Sequence, residues 1–396
     1  MPEPANSPTR LPEAASSPIR PLNAVGGPTR PLVRVTGAAR HAWALLTERP
    51  LSLYAVSVLR IGYGLLYLVF LLREFPHRDE IWGPGSPWTP DLARQLFDQT
   101  GWVSVLTLSD SRLHFELCYT AALVVSVLFL LGWRTRAVSV LFAVVVASFH
   151  ARSIFMTDGG DNLVLLMALY LVLTASGRRW SLDSRRVGRP RGCGRLPALP
   201  PQLQDARRTL VTAVHNCGLL VIAVQVCFLY GAAGLYKVQG GTWGAGTALH
   251  YVLNLDLFQP WPALSHWADD QALAIAVVGY LTVLLQVAFP FVLFGRLKYP
   301  VLTMLLGMHI GIAVLMGLPL FSGAMIIADA VFLPDRFWVA AGKLVRRALG
   351  RTEEPQPVAA ETPEAPEAAG TPETSEERRG VVPKQGSSVS PVPDRP

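Results

Sequence analysis

Cysteine is scarce: the chain carries four, at positions 118, 193, 217 and 227, with no C-x-x-C pair and no His/Cys spacing that suits a metal. That excludes a disulfide framework and a structural zinc module. Charge is also scarce, at 16% of 396 residues against 51% hydrophobic residues, a balance that soluble globules do not show. Walker, Rossmann and serine-nucleophile patterns are absent. The first fifty residues contain no signal-peptide apolar core, so the first apolar helix is expected to serve as an uncleaved targeting signal. The net charge of +7 raises nucleic acid as a partner, but the arginines sit in short loops between apolar runs, without the basic-aromatic patterns of nucleic-acid binders. The expectation is a lipid bilayer as partner and no nucleic acid.

What is present is a series of apolar segments. They predict an all-α, polytopic transmembrane bundle of about eight helices, near 51–72, 113–133, 137–150, 161–175, 209–230, 272–294, 299–316 and 320–333. Residues 1–48 are Pro/Arg-rich with a ten-residue echo (SPTRLP, SPIRPL, GPTRPL), and residues 352–396 are rich in Pro, Glu, Ser and Thr. Both read as disordered tails around a transmembrane domain at 49–335, with a basic juxtamembrane segment at 336–351. Residues 73–112, with WGPGSPWTP, read as a loop with a short interfacial segment. The bias of Arg and Lys to Arg134–Arg136, 177–208, Gly295–Lys298 and 343–351 predicts a multi-pass protein of the cell membrane with both termini cytoplasmic. The 73–112 loop, the Asp158–Asn162 corner and the stretch Tyr230–Tyr251 then share the outer face.

Polar residues inside or beside apolar segments are the candidate site. Lys237, in YGAAGLYKVQGGTW, has two readings. It is an interfacial lysine beside aromatic-belt residues, or a base in a dry pocket. Asp158, Asp161 and Asn162 suit a helix cap with an ion pair to Arg152, or a ligand-orienting corner; their spacing is not that of a calcium loop, and no metal site is expected. His150 and Arg152 suit either an anionic group or interfacial anchoring. His309, flanked by Gly307 and Gly311 in mid-helix, suits a functional role or an interhelical hydrogen bond. His215, Asn216, Gln225 and Gln286 read as packing hydrogen bonds, and Asp329 is paired by expectation with Arg60.

RIGYGLL in the first helix, H-x-R followed by DGGDNL, WSLD, YGAAGLYK with its downstream tryptophan, and HIGIAVLMGLPLFSGAMI occur in that order. Together they resemble the horizontally transferred transmembrane (HTTM) family, which is related to vitamin K-dependent γ-glutamyl carboxylase and to the maturation factor B of a sporulation-delaying protein. The resemblance covers about residues 48–335. It implies that Lys237, in a segment with Trp243, is the base that opens quinol oxygenation; around that base Asp161, Asn162, His309, Tyr236 and Trp243 are expected to line the substrate site. It further implies a reduced menaquinone or vitamin K-type quinol as cofactor or substrate, and an enzyme of carboxylase or quinol-epoxidase type. The chain departs from the carboxylases where they carry Asn-Asn-His: here stand Gly160, Asp161 and Asn162. It also has no room after residue 335 for their large soluble domain. The other reading that the resemblance implies is an accessory protein that binds a secreted peptide during its maturation.

Overall fold

The computed structural model describes residues 40–186, 200–293 and 295–348. The described residues are helical throughout, without strands, and those up to Val345 form one compact unit. The tail at 1–39, the middle of the basic loop with Cys193, and the tail beyond 348 lie outside the described residues. Residues 40–47, expected to belong to the first tail, are helical instead. The reason is a docking partner: the Asn216 side-chain amide donates to the carbonyls of Leu45, Leu46 and Arg49 and its oxygen accepts from Leu51 N.

Six helices are long and apolar enough to cross a membrane. They are α1 (Leu53–Arg73), α3 (Arg112–Leu131), α4 (Thr135–Arg152), α6 (Pro201–Val238), α9 (Ala272–Val292) and α10 (Lys298–Leu315). Two further apolar helices are shorter, α5 (Gly159–Leu173) and α11 (Pro319–Asp329). Between them run α2 (Pro90–Thr100), α7 (Ala248–Leu253) and α8 (Pro262–Asp269), and α12 (Asp335–Ala348) follows. The expected loop at 73–112 thus contains a regular helix. Pro90 sits at its first turn, where no amide is needed, and Thr89 Oγ1 caps Leu92 N.

The short helices contribute to the bundle's core. Along α5, Leu163, Val164, Met167, Ala168 and Leu171 are buried; along α11, Ala324, Met325 and Ala328 are. A helix of 15 residues is about 22 Å long, short of a hydrocarbon layer of about 30 Å. Burial among longer helices removes the need to match that thickness. α6 departs most from its expected range. It runs 38 residues, about 57 Å, because Gln202–Arg208 continue it as a polar extension. Its far end extends through Val238, so Lys237 stands in its last turn rather than in a glycine-rich turn beyond the helix. Gly234 explains the small residues of that segment. A Cβ there would lie 2.8 Å from a Val287 methyl and 2.9 Å from Val287 N, so the glycine lets α6 approach α9 closely.

One end of the bundle is closed by a polar latch built from two of the quoted motifs. Arg60, fully buried, donates through Nη1 to the carbonyls of Phe129 and Leu130 at the end of α3 (2.6 and 2.5 Å). Its Nη2 donates to Trp180 O (2.7 Å) and its Nε to Ser176 O (3.4 Å). Asp183, of the WSLD motif, caps α4 from a distance: its carboxylate accepts from Arg134 N, Thr135 N and Thr135 Oγ1. Burial pushes its pKa up, but the bonds from Thr135 and Arg134 outweigh this and hold it below the usual carboxylate value. Gly132 fits between them with φ +69°, where a Cβ would lie 2.5 Å from Ser181 Cβ and 2.9 Å from Arg60 Nη1.

Candidate functional site

The other end of the bundle opens into a cavity of about 290 Å³ where four helix ends meet. The end of α1 contributes Leu66, Tyr67, Phe70, Arg73 and Glu74; the end of α4 contributes Val146, Phe149, His150 and Ser153. The start of α5 contributes Asp158, Gly160, Asp161 and Val164, and the α10–α11 turn contributes Gly317 to Phe321. Trp82, from the segment after α1, completes the wall.

The local sequence explains each placement. DGGDN forms a capping box: Asp158 Oδ1 accepts from Gly160 N (2.6 Å) and Asp161 N (3.0 Å), and Asp161 Oδ2 accepts from Asp158 N (3.0 Å). Gly160 allows Phe321 to come close, since a Cβ would lie 2.9 Å from Phe321 Cα. Gly317, with φ +66°, makes the turn that brings Pro319 and Phe321 to the wall. The lining is apolar from Leu66, Phe70, Val146, Val164 and Phe321, with charge at Arg73, Glu74, Asp158 and Asp161. Three lining residues hold a buried polar atom with no hydrogen-bond partner: Tyr67 Oη, Trp82 Nε1 and His150 Nδ1. Such atoms are uncommon in native interiors and mark sites where a partner is missing.

The predicted site residues do not all meet here. Asp161 lines the cavity; Asn162 is exposed, its amide donating to Asp158 O (2.8 Å) as part of the cap. Lys237, Tyr236, Trp243 and His309 are not among the lining residues. Lys237 is half-buried at the end of α6, with Nζ 5.3 Å from the centre of the Trp243 ring, a cation–π contact. Tyr236 is 80% exposed. His309 is 1% exposed, inside the bundle, and its Nε2 lies 3.0 Å from Tyr230 Oη.

Two expected pairings are replaced by others. Asp329 does not meet Arg60; Tyr230 Oη donates to its Oδ2 at 2.9 Å, while the Arg60 guanidinium serves backbone carbonyls. Arg152 does not pair with the Asp158 corner. It is fully buried, its Nη2 donates to Gly83 O (3.2 Å), and its Nε and Nη1 have no hydrogen-bond partner. The packing role expected of His215, Asn216 and Gln225 is seen: His215 joins Ala175 N to Leu51 O, and Gln225 accepts from Tyr170.

Sequence reasoning missed Tyr67, Arg73, Glu74 and Trp82 as cavity residues and Tyr230 as the partner of His309. Arg73–Glu74 closing an apolar helix, at the same end as DGGDN, was the available signal for the first group. A tyrosine at a helix end looks the same whether it faces lipid or a histidine, so Tyr230 gave none. No family model, no curated protein and no solved structure matches the chain.

Proposed function

We propose that this chain is an integral membrane protein with a carboxylase-like transmembrane core of the HTTM type. In this reading the cavity at the meeting of α1, α4, α5 and α11 holds a lipid-soluble quinol or a comparable amphiphile. The observation that carries the reading is the composition of that cavity. It has apolar walls for a ring, an acceptor in Asp161, and buried Tyr67, Trp82 and His150 polar atoms that still need partners. A quinol presents hydroxyl oxygens that both donate and accept, which suits that mixture. Asp161 would accept from one hydroxyl and orient the ring.

The same reading sets the topology. α5 begins at the cavity and leads to Ser176, three residues past its end, whose carbonyl meets Arg60; α11 begins at the cavity and leads to Asp335, which accepts from Tyr54 N at the start of α1. Both short helices therefore connect the same two levels as α1. With six long spans this gives eight crossings. The arginine-rich latch end is cytoplasmic by the positive-inside rule, and the cavity faces outward.

The lysine-base reading places the substrate head elsewhere, at the outer end of α6 beside Trp243. Its support is the half-buried position of Lys237 and its contact with that ring. Binding separates the two readings. Full-length protein in nanodiscs, loaded with a reduced naphthoquinol and inspected by native mass spectrometry, is expected to retain one quinol. Leu66→Trp, which fills the cavity, is expected to abolish retention, while Lys237→Ala keeps it. Retention lost in Lys237→Ala and kept in Leu66→Trp would transfer the site to the end of α6.

A further inference from the structure

Away from the outer cavity, three side chains from three helices meet in the bundle interior. Tyr230 of α6 lies between His309 of α10 and Asp329 of α11: Tyr230 Oη is 3.0 Å from His309 Nε2 and 2.9 Å from Asp329 Oδ2. Tyr230 and His309 are 1% exposed and Asp329 is 8% exposed. Each end of the chain keeps one atom free of hydrogen bonds, His309 Nδ1 and Asp329 Oδ1.

Among the described residues, the side chains packed around the three supply no fixed counter-charge. From α1 comes Tyr63, the one titratable neighbour there, whose hydroxyl is committed to Ala324 O at 2.8 Å. Arg60, the charged residue in the middle of α1, is committed to carbonyls at the latch. α9 brings the Phe289 ring, 4.7 Å from that of Tyr230, and Gln286, which is uncharged. From α5, which also packs against α11, the charged residue is Asp161, in the first turn beside the outer cavity; the rest of that helix carries no charge. Phe332 packs on Phe289, and Phe321 lies 6.1 Å from His309, between it and the outer cavity. A carboxylate and an imidazole isolated from other charge in a dry interior favour states whose net charge is zero. Two such states exist here: a neutral carboxyl beside a neutral imidazole, or a carboxylate beside an imidazolium. They differ by the position of one proton.

We propose that Tyr230, His309 and Asp329 form a proton-exchange site, in which one proton is shared between Asp329 and His309 through the Tyr230 hydroxyl. Asp329 Oδ2–H releases its proton to Tyr230 Oη while Tyr230 Oη–H passes its own to His309 Nε2. One carboxyl O–H bond and the original phenol O–H bond break; a new phenol O–H and an N–H bond form. The products are a carboxylate, an intact phenol and an imidazolium, and no electrons or outside reactants are involved. The ligand of this site is the proton itself. The site does not depend on a quinol in the outer cavity; Phe321, which lines that cavity, also packs on His309.

A purely structural triad would hold the same distances without exchange, so the test reads the protons. Full-length protein in nanodiscs is titrated in parallel by infrared difference spectroscopy and by ¹⁵N-histidine NMR. The Asp329 carboxyl band is identified by its loss in Asp329→Asn, and the His309 resonances by their loss in His309→Gln. The expected result is that the carboxyl band and the His309 resonances both change at every pH step of the parent protein, because a pair that shares a proton titrates as a unit. In Tyr230→Phe, which keeps the ring and removes the relay, each step is seen in one of the two signals and leaves the other unchanged. Unchanged titrations in Tyr230→Phe overturn the relay. A parent protein in which each step moves only one of the two signals overturns the exchange site. If Tyr230→Phe does not fold, Asp329→Asn decides: a displaced His309 midpoint supports the proposal, and an unmoved one refutes it.

Discussion

Replacing Arg60 by leucine should damage the latch end of the bundle more than any single apolar substitution at its surface. The guanidinium serves four carbonyls on two separate segments, Phe129 and Leu130 on one, Ser176 and Trp180 on the other. Hydrogen bonds to a charged group contribute about 1.5–3 kcal/mol each. Their sum overstates the loss, because burying the guanidinium is itself costly and helix-end carbonyls regain some water when it is gone. Breaking one partner of a buried charged network costs about 3–5 kcal/mol, the figure expected for Arg60→Leu. At about 2–4 °C per kcal/mol for a chain of this order of size, Tm falls by roughly 6–20 °C. Arg60→Lys should recover less than half, because a single ammonium cannot reach carbonyls in two directions. Tryptophan-fluorescence melting in nanodiscs reads the effect. A Tm within about 3 °C of the parent, equivalent to about 1 kcal/mol, would show that the carbonyls do not depend on Arg60, and the latch would lose its energetic meaning.

Two further consequences concern the ends of the bundle. Gly132→Ala forces a Cβ into a φ of +69° and against Ser181, and should cost more than about 1 kcal/mol by the same melting assay, with Gly132→Asn less harmful because asparagine tolerates the left-handed region. At the other end, His250 and Asn254 near α7 clasp Asp269 of α8 at 2.7 and 2.8 Å. Burial pushes the Asp269 pKa up, but the bonds from Asn254 and His250 together outweigh this and hold it below the usual carboxylate value. A group with a depressed folded pKa contributes stability above its unfolded value and loses it as pH falls through its folded value. Protection of the 248–269 amides, taken as the exchange rate relative to the intrinsic rate at each pH, should therefore be high at neutral pH and fall on acidification, and Asp269→Asn should flatten that dependence.

The apolar runs made the long helices readable in sequence, and their limits moved by a few residues at most for α1, α3, α9 and α10. The same rule failed for α6, since Gln202–Arg208 read as loop although nothing in a polar stretch prevents a helix from continuing into water. α5 was readable despite its length, because Asp158 and Asp161 spell a capping box. The cavity was not readable. It is made where residues near 70, 150, 160 and 320 converge, and no local pattern reports on their meeting. Arg60 shows a second limit. Sequence reasoning looks for an acidic partner to a buried arginine and found Asp329, but backbone carbonyls satisfied the guanidinium and left the carboxylate for Tyr230. The RIGYGLL and WSLD motifs, read through a functional resemblance, turn out to carry the latch.

In the proposed function the cavity between α1, α4, α5 and α11, and not the end of α6, receives the quinol ring. Photolabelling with an azido-naphthoquinone in nanodiscs, followed by peptide mapping, tests it most directly. The account predicts label on the cavity walls, in peptides containing Leu66–Glu74, Val146–Val164 or Gly317–Phe321, with the label competed away by unmodified quinone and lost in Leu66→Trp. Label confined to Tyr230–Tyr251, around Lys237 and Trp243, would contradict it and return the chemistry to the lysine.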